Sequence, residues 1–499
     1  MAGIGFELKK MFAKKGLLAT LKAYGYAGVV CIGPMILGIL LLLGIRVIAG
    51  FGHATEAEKE LLNSMVTYTL LFSLVWTNVF SMVTTRYVAD QLYSERKDKV
   101  MPSFWGSIAV MLLFGGIFYG VFLLFSGISP VYQVLCLILF SELVVVWTEM
   151  NYLTAIKDYQ GIMYTFLVAL LISWGAGYAL VALGMDTITA LLLAVCIAYG
   201  IMGCWYYYLL LRYFPSGSCS GLAFLQWFEK YPELSGVGFF MGIGLFGHFV
   251  IMWISPIGKQ VCGAFYAAPS YETPALLAFL SILITTINFV TSVEVNFYDK
   301  YKNYFAMFND GGTIQDIEQA EREMKSCLRR ELTYTFTKQL FVTIVFVVMG
   351  TILLPTLPLG LTGNTMGIFR ILCMGYAFYA IGNCMMLMQL YFSDNKGALI
   401  SASLFGVISC LGTYMTRHWG MEYYGMGFLA GSMVFAIVSM FLLWGYIRNI
   451  MFHVLSNQPL LYEEKNGIFG KIAAWFEARY EKKMAVIYKN KVQEERENE

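Results

Sequence analysis

The residues with most capacity for chemistry in this chain are the ionisable and amide side chains set inside long apolar runs. A charge at the centre of a bilayer costs at least ~2.5 kcal/mol, so each such group must face protein, water or a ligand. Glu142 and Glu149 share one run, seven residues apart, a spacing that returns to nearly the same helix face. Together they would line an acidic side of a cavity. The alternative places Glu149 at the membrane interface and pairs Glu142 with a polar neighbour. His248 lies among Gly238, Gly242, Gly244 and Gly247, where missing side chains let helices approach closely. It can gate or shuttle protons, or make a single interhelical hydrogen bond. Asn78, Asn288 and Asn383 are uncharged amides inside three further runs, suited either to bonding neighbouring helices or to hydroxyl-rich ligands. Arg86 and Asp90, four apart, can pair on one helix face and anchor the end of their run. Gly33-Pro34 interrupts the first run, and proline removes a backbone hydrogen bond, so a kinked, gating or cavity-lining helix is expected there.

Other chemistries find no support. Ten cysteines form no CxxC pair, and seven of them (Cys31, Cys136, Cys196, Cys204, Cys373, Cys384 and Cys410) fall inside apolar runs, as small packing residues do. Four histidines show no metal-ligand spacing. There is no phosphate-binding loop and no dinucleotide fingerprint. The expectation is a non-enzyme without catalytic residues, metal or cofactor, and without a nucleic-acid partner.

The elements that position these residues are transmembrane helices, each needing ~20 mostly apolar residues. Twelve runs qualify: Ala23–Ile45, Met65–Val83, Phe104–Phe125, Tyr132–Leu153, Ile162–Leu183, Ile188–Leu211, Val237–Ile254, Ala275–Val293, Leu340–Leu357, Phe369–Leu390, Ala398–Tyr414 and Tyr424–Trp444. Composition agrees, with 58% hydrophobic and 13% charged residues and a mean hydropathy of +0.65. A water-soluble enzyme is excluded on these grounds. Of the 34 Lys and Arg, all but Arg46, Lys59, Lys259, Arg370 and Arg417 fall at the termini or in even-numbered gaps. Retained positive charge marks the cytoplasmic side, so both termini are expected in the cytoplasm of a multi-pass inner-membrane protein. The first run is too long for a secretory signal and lacks a small-residue cleavage site, so it reads as a retained helix.

The expected organisation is a basic segment (1–22), a six-helix bundle (23–211), a cytoplasmic linker (212–236), a second bundle (237–447) and a tail (448–499). Aromatic residues make up 16% of the chain, in runs such as Trp205-Tyr206-Tyr207-Tyr208, and are expected in interfacial belts or stacked on sugar rings. Within the second bundle, Glu294–Lys338 is a charged gap in which Ile317, Met324, Leu328 and Leu332 recur at helical spacing, so an amphipathic cytoplasmic helix is expected there. That stripe packs on the bundle or docks a partner. The tail holds another amphipathic segment, with Ile468, Ile472, Trp475 and Phe476 on one side and Lys471, Arg479, Lys482 and Lys483 nearby, suited to the inner membrane surface. Residues beyond Lys491 are expected to be disordered.

The opening Met1–Lys10 segment, followed by Tyr24-Gly25-Tyr26-Ala27-Gly28 and Gly33-Pro34, resembles the start of the PelG family of Pel exopolysaccharide transporters. Thr85-Arg86-Tyr87-Val88-Ala89-Asp90 and Phe297-Tyr298-Asp299-Lys300-Tyr301 also resemble that family. The resemblance runs to about Leu455 and leaves out the tail from Ser456. It implies an all-α, twelve-helix member of the multidrug/oligosaccharidyl-lipid/polysaccharide (MOP, MATE-like) exporter superfamily, with two six-helix bundles around a central cavity. It further implies movement of a nascent N-acetylgalactosamine-rich Pel polymer for biofilm matrix, with the cytoplasmic glycosyltransferase PelF and the membrane partners PelD and PelE. A lipid-linked oligosaccharide flippase or an ion-coupled small-molecule exporter would use the same fold. Cation-coupled drug exporters of the superfamily tend to carry a carboxylate in the first or seventh span, and neither run holds one here.

Overall fold

Lipid offers no hydrogen bonds to backbone groups, so a spanning segment must satisfy its own, and an α-helix does this within one segment. The computed structural model describes residues 28, 36–156, 159–215, 217, 219–309, 311–356, 363–456 and 467–497. Gly33, Pro34 and the basic residues Lys9 to Lys22 lie outside them.

The helices are α1 (Ile36–Phe51), α2 (Glu56–Tyr93), α3 (Val100–Leu124), α4 (Pro130–Ile156), α5 (Tyr159–Ala182), α6 (Thr187–Tyr213), α7 (Gln226–Lys230) and α8 (Pro232–Trp253). After a two-stranded hairpin come α9 (Pro269–Phe279), α10 (Leu283–Ser292), α11 (Tyr298–Asn309), α12 (Ile314–Leu353), α13 (Gly363–Tyr391), α14 (Asn395–Thr416), α15 (Met426–Arg448), α16 (Ile450–Ser456) and α17 (Ile468–Glu497). Among the described residues, 11 helical stretches are long and apolar enough to cross a membrane, and each contains one of the second to twelfth runs to within one residue at the run's end. The protein is an all-α polytopic membrane protein. The described part of the first run, α1, continues past Ile45 to Phe51, so Arg46 lies within a helix and not in a gap.

The chain divides into two compact units: Gly44–Phe239 with the described tail residues from Gly467, and Phe240–Gln458 with Leu43 and the described residues before it. In the first unit α6 packs on α4 and α5, and α2 on α4. Buried hydroxyls tie these helices: Thr69 Oγ1 lies 2.6 Å from Tyr119 OH, and Ser103 Oγ 3.0 Å from Tyr152 OH. The linker is not irregular chain. It contains α7, and α8 already begins at Pro232.

In the second unit α15 packs on α13 and α14. Gly427 makes the closest approach, since a Cβ there would collide with the backbone of Gly412 and Thr413. The amphipathic helix expected within Glu294–Lys338 is present, and it merges with the ninth span. The α10 helix passes through a π-helical stretch, Val293–Phe297, into α11, and α12 runs unbroken for 40 residues through the charged stretch and the ninth span. Ile317, Met324, Leu328 and Leu332 are all buried, in a cluster with Phe297, Tyr304, Met385, Met388 and Ile447. The stripe therefore packs on its own bundle and is closed to a partner. Thr313 and Asp316 start α12 with a reciprocal capping box.

Two further features were not anticipated. Strands β1 (Lys259–Cys262) and β2 (Phe265–Ala267) pair antiparallel, with Gly263 at a positive φ of 54° in the turn. In the tail, the helix continues past Lys491 to Glu497 where disorder was expected.

Candidate functional site

Helix α6 starts at Asp186, whose Oδ2 accepts from Thr189 N (3.0 Å) and Thr189 Oγ1 (2.7 Å). Tyr132 OH donates to the same oxygen at 3.2 Å, which ties the start of α4 to the start of α6. These bonds, chiefly those from Thr189, hold the Asp186 carboxyl below the usual carboxylate range.

With α4 and α6 thus aligned, Glu142 and Glu149 both face α6, each opposite a glycine. A Cβ on Gly200 would lie 3.2 Å from Glu142 Oε1, and one on Gly203 3.8 Å from Glu149 Oε2. Gly200 and Gly203 thus leave the space the carboxylates occupy. A groove of about 780 Å³ opens between the two helices, lined by Leu135, Ile138, Glu142, Cys196, Gly200 and Trp205 among others. Glu142 is its one acidic group, and its Oε2 has no hydrogen-bond partner among the described residues. Glu149 is 1% exposed, also has an unpartnered Oε2, and lies outside the groove lining. The shared face follows from the spacing, and of the two carboxylates Glu142 lines this groove. An unmatched carboxyl oxygen beside an apolar groove offers a ligand an acceptor in surroundings where hydrogen bonds are strong.

The remaining intramembrane candidates separate. His248 is fully buried; its Nδ1 lies 2.8 Å from Tyr271 OH, and its ring packs on Phe249 and Phe428. Asn288 donates to Thr335 Oγ1 (2.9 Å) and accepts from Lys338 Nζ (2.9 Å). It belongs to a polar ladder between α10 and α12 that also joins Thr285 to Gln339, Gln339 to Thr343, and Ser292 to Glu331. Asn78 and Asn383 are half-buried, and neither makes a side-chain hydrogen bond to another described residue. The ladder partners Lys338 and Glu331 were missed because the ninth span was expected to begin only at Leu340. Gly200 and Gly203 carried a signal as small residues three apart, near enough to share a helix face, within an apolar run.

Arg86 and Asp90 do pair, Nε to Oδ1 at 3.1 Å. Asp90 Oδ2 also accepts from Trp227 Nε1 at 2.8 Å, the Tyr87 ring meets Trp227 edge-on, and the Arg86 guanidinium sits 5.1 Å from the Tyr231 ring centroid. The pair therefore holds α7 against the end of α2, an anchor that the i,i+4 spacing alone did not disclose.

A family model of PelG exopolysaccharide exporters (EPS-E) matches residues 1–455. The chain belongs to the PelG family. No curated protein matches it. Among solved structures, an outward-facing multidrug resistance MATE family transporter of the MOP superfamily is similar, with a TM-score of 0.56 and 14% identity over 87% of this chain and 97% of that one. A eukaryotic MATE transporter gives a TM-score of 0.55 at 12% identity over 92% and 99%. A MOP superfamily transporter from Pyrococcus furiosus gives 0.54 at 13% identity over 85% and 96%. At these identities the likeness establishes the fold alone, a MATE-like transporter fold for a PelG-family membrane exporter.

Proposed function

We propose that this protein is the inner-membrane translocator of a nascent Pel-type exopolysaccharide, N-acetylgalactosamine-rich, which it receives from a cytoplasmic glycosyltransferase of the PelF kind beside PelD and PelE during biofilm matrix production. The observation that carries the reading is the PelG family match across residues 1–455. The basic termini and even-numbered gaps support an orientation with both termini in the cytoplasm. Glu142 supplies an acceptor for sugar hydroxyls or amino groups, Glu149 lies buried seven residues further along the same face, and Trp205 and Tyr208, both exposed at the groove, offer faces on which sugar rings stack. Asn78 and Asn383, with amides not committed to other described side chains, are the further path candidates. His248 and Asn288 serve helix packing, because their bonds are made within one unit. Gly33 and Pro34 remain the proposed gating kink.

A lipid-linked oligosaccharide flippase is the second reading, favoured by the apolar lining of the α4–α6 groove, which suits a lipid tail. Reconstitution separates the two. Vesicles holding this protein, the synthase and nucleotide sugar should accumulate polymer protected from an external glycosidase. Protection of a pre-formed lipid-linked oligosaccharide without synthase would favour the flippase, and absence of both would overturn the export role.

A further inference from the structure

The family match stops at residue 455, and α17 begins at Ile468, outside it. Its seat is nonetheless specific. Glu229 on α7 accepts from three backbone amides at its start, Gly467 (2.9 Å), Phe469 (2.6 Å) and Gly470 (3.1 Å), as a carboxylate does at a helix N-terminus. Phe469 meets Phe228, Glu477 Oε2 accepts from Ser220 N at 3.0 Å, and Gly470 and Ala473 are buried. One face of α17 is thereby fixed on residues 219–230.

A second apolar face stays open. At about 100° per residue, Ile468, Ile472, Trp475 and Phe476 are centred roughly 145° around the helix from Gly470 and Ala473. They are 76%, 38%, 55% and 38% exposed. Lys471, Arg479 and Lys482 border this face, the Arg479 guanidinium lying 5.1 Å from the Trp475 ring centroid. The level of the helix is set by its seat: the linker is pressed on the first turns of α3, where Gly221 leaves no room for a Cβ on Gly106. From that level α3 presents an exposed apolar band, beginning at Trp105 and running through Leu113, Phe114 and Ile117. The open face of α17 thus lies at the level where a lipid-facing surface ends, where aromatic residues and cations collect.

We infer that α17 lies on the bilayer surface at this end of the bundle, with Ile468, Ile472, Trp475 and Phe476 inserted among lipids and Lys471, Arg479 and Lys482 on anionic headgroups. The bilayer is given by the fold, so the inference stands apart from the choice of substrate. Through Glu229, and through Trp227 on Asp90, the lipid-bound helix also restrains the segment that leads into α8.

Full-length protein in nanodiscs containing a photoactivatable lipid tests this by mass-spectrometric mapping of adducts. The 468–482 peptide should be labelled, with at least about fivefold more adducts from phosphatidylglycerol than from phosphatidylcholine, the factor for one basic residue near an anionic surface. The triple variant Lys471→Gln, Arg479→Gln, Lys482→Gln should lose the preference and keep its melting temperature. No adducts on this peptide, with α3 residues 113–118 labelled normally, would overturn the inference and leave the face to a protein partner. Equal labelling by both lipids would overturn the anionic-headgroup contact.

Discussion

Glu142 keeps one carboxyl oxygen unmatched beside an apolar groove, a state that a membrane protein holds only at a cost. Glu142→Gln preserves shape and removes the charge, and should lower polymer export by about tenfold, ~1.4 kcal/mol of lost interaction, at unchanged membrane abundance. Quantified secreted polymer against immunoblotted protein checks it, and full export would leave Glu142 a packing residue. Asp186 tests the scaffold of the same site. Asp186→Ala should cost about 1 kcal/mol by loss of the α6 cap. The folded Asp186 carboxyl lies below its unfolded range, so its contribution is present above the unfolded value and disappears as pH falls through the folded one. Thermal unfolding of the two proteins should differ at neutral pH and converge in acid.

At the level of elements, glycines decide how closely helices meet. Gly427 on α15 touches the backbone of Gly412 and Thr413 on α14, so Gly427→Leu must separate the two helices. The variant should lose several kcal/mol, in the range of overpacked cores, and show reduced membrane abundance; a wild-type melting curve would contradict the packing described. Helix α12 carries a second lesson. Its charged first half is expected from the sequence as a helix apart from the ninth span because hydropathy averages over all faces, whereas burial selects one. Ile317, Met324, Leu328 and Leu332 lie on that one face, and the helix continues because nothing in the sequence breaks it before Leu353.

For the whole molecule, PelG family membership and the MATE-like fold support export, while the substrate remains the proposal. Deleting the gene should abolish export of an amino-sugar polymer and leave drug resistance unchanged; normal secreted polymer in the deletion strain would remove the assignment.

The sequence by itself determined the spanning elements, because burial of about 20 apolar residues in lipid is a local, additive property that each run carries alone. It also determined the common face of Glu142 and Glu149 and the pairing of Arg86 with Asp90, since both follow from helical repeat. Only the tertiary structure decided which candidates are committed. His248 Nδ1 meets Tyr271 OH while its Nε2 has no partner among the described residues, and Asn288 bonds Thr335 and Lys338, through contacts between residues 23 to 50 positions apart. It alone joined Asp90 to Trp227 and Glu229 to the tail, across 137 and more than 230 residues, because hydrogen bonds at such separations depend on how whole helices pack.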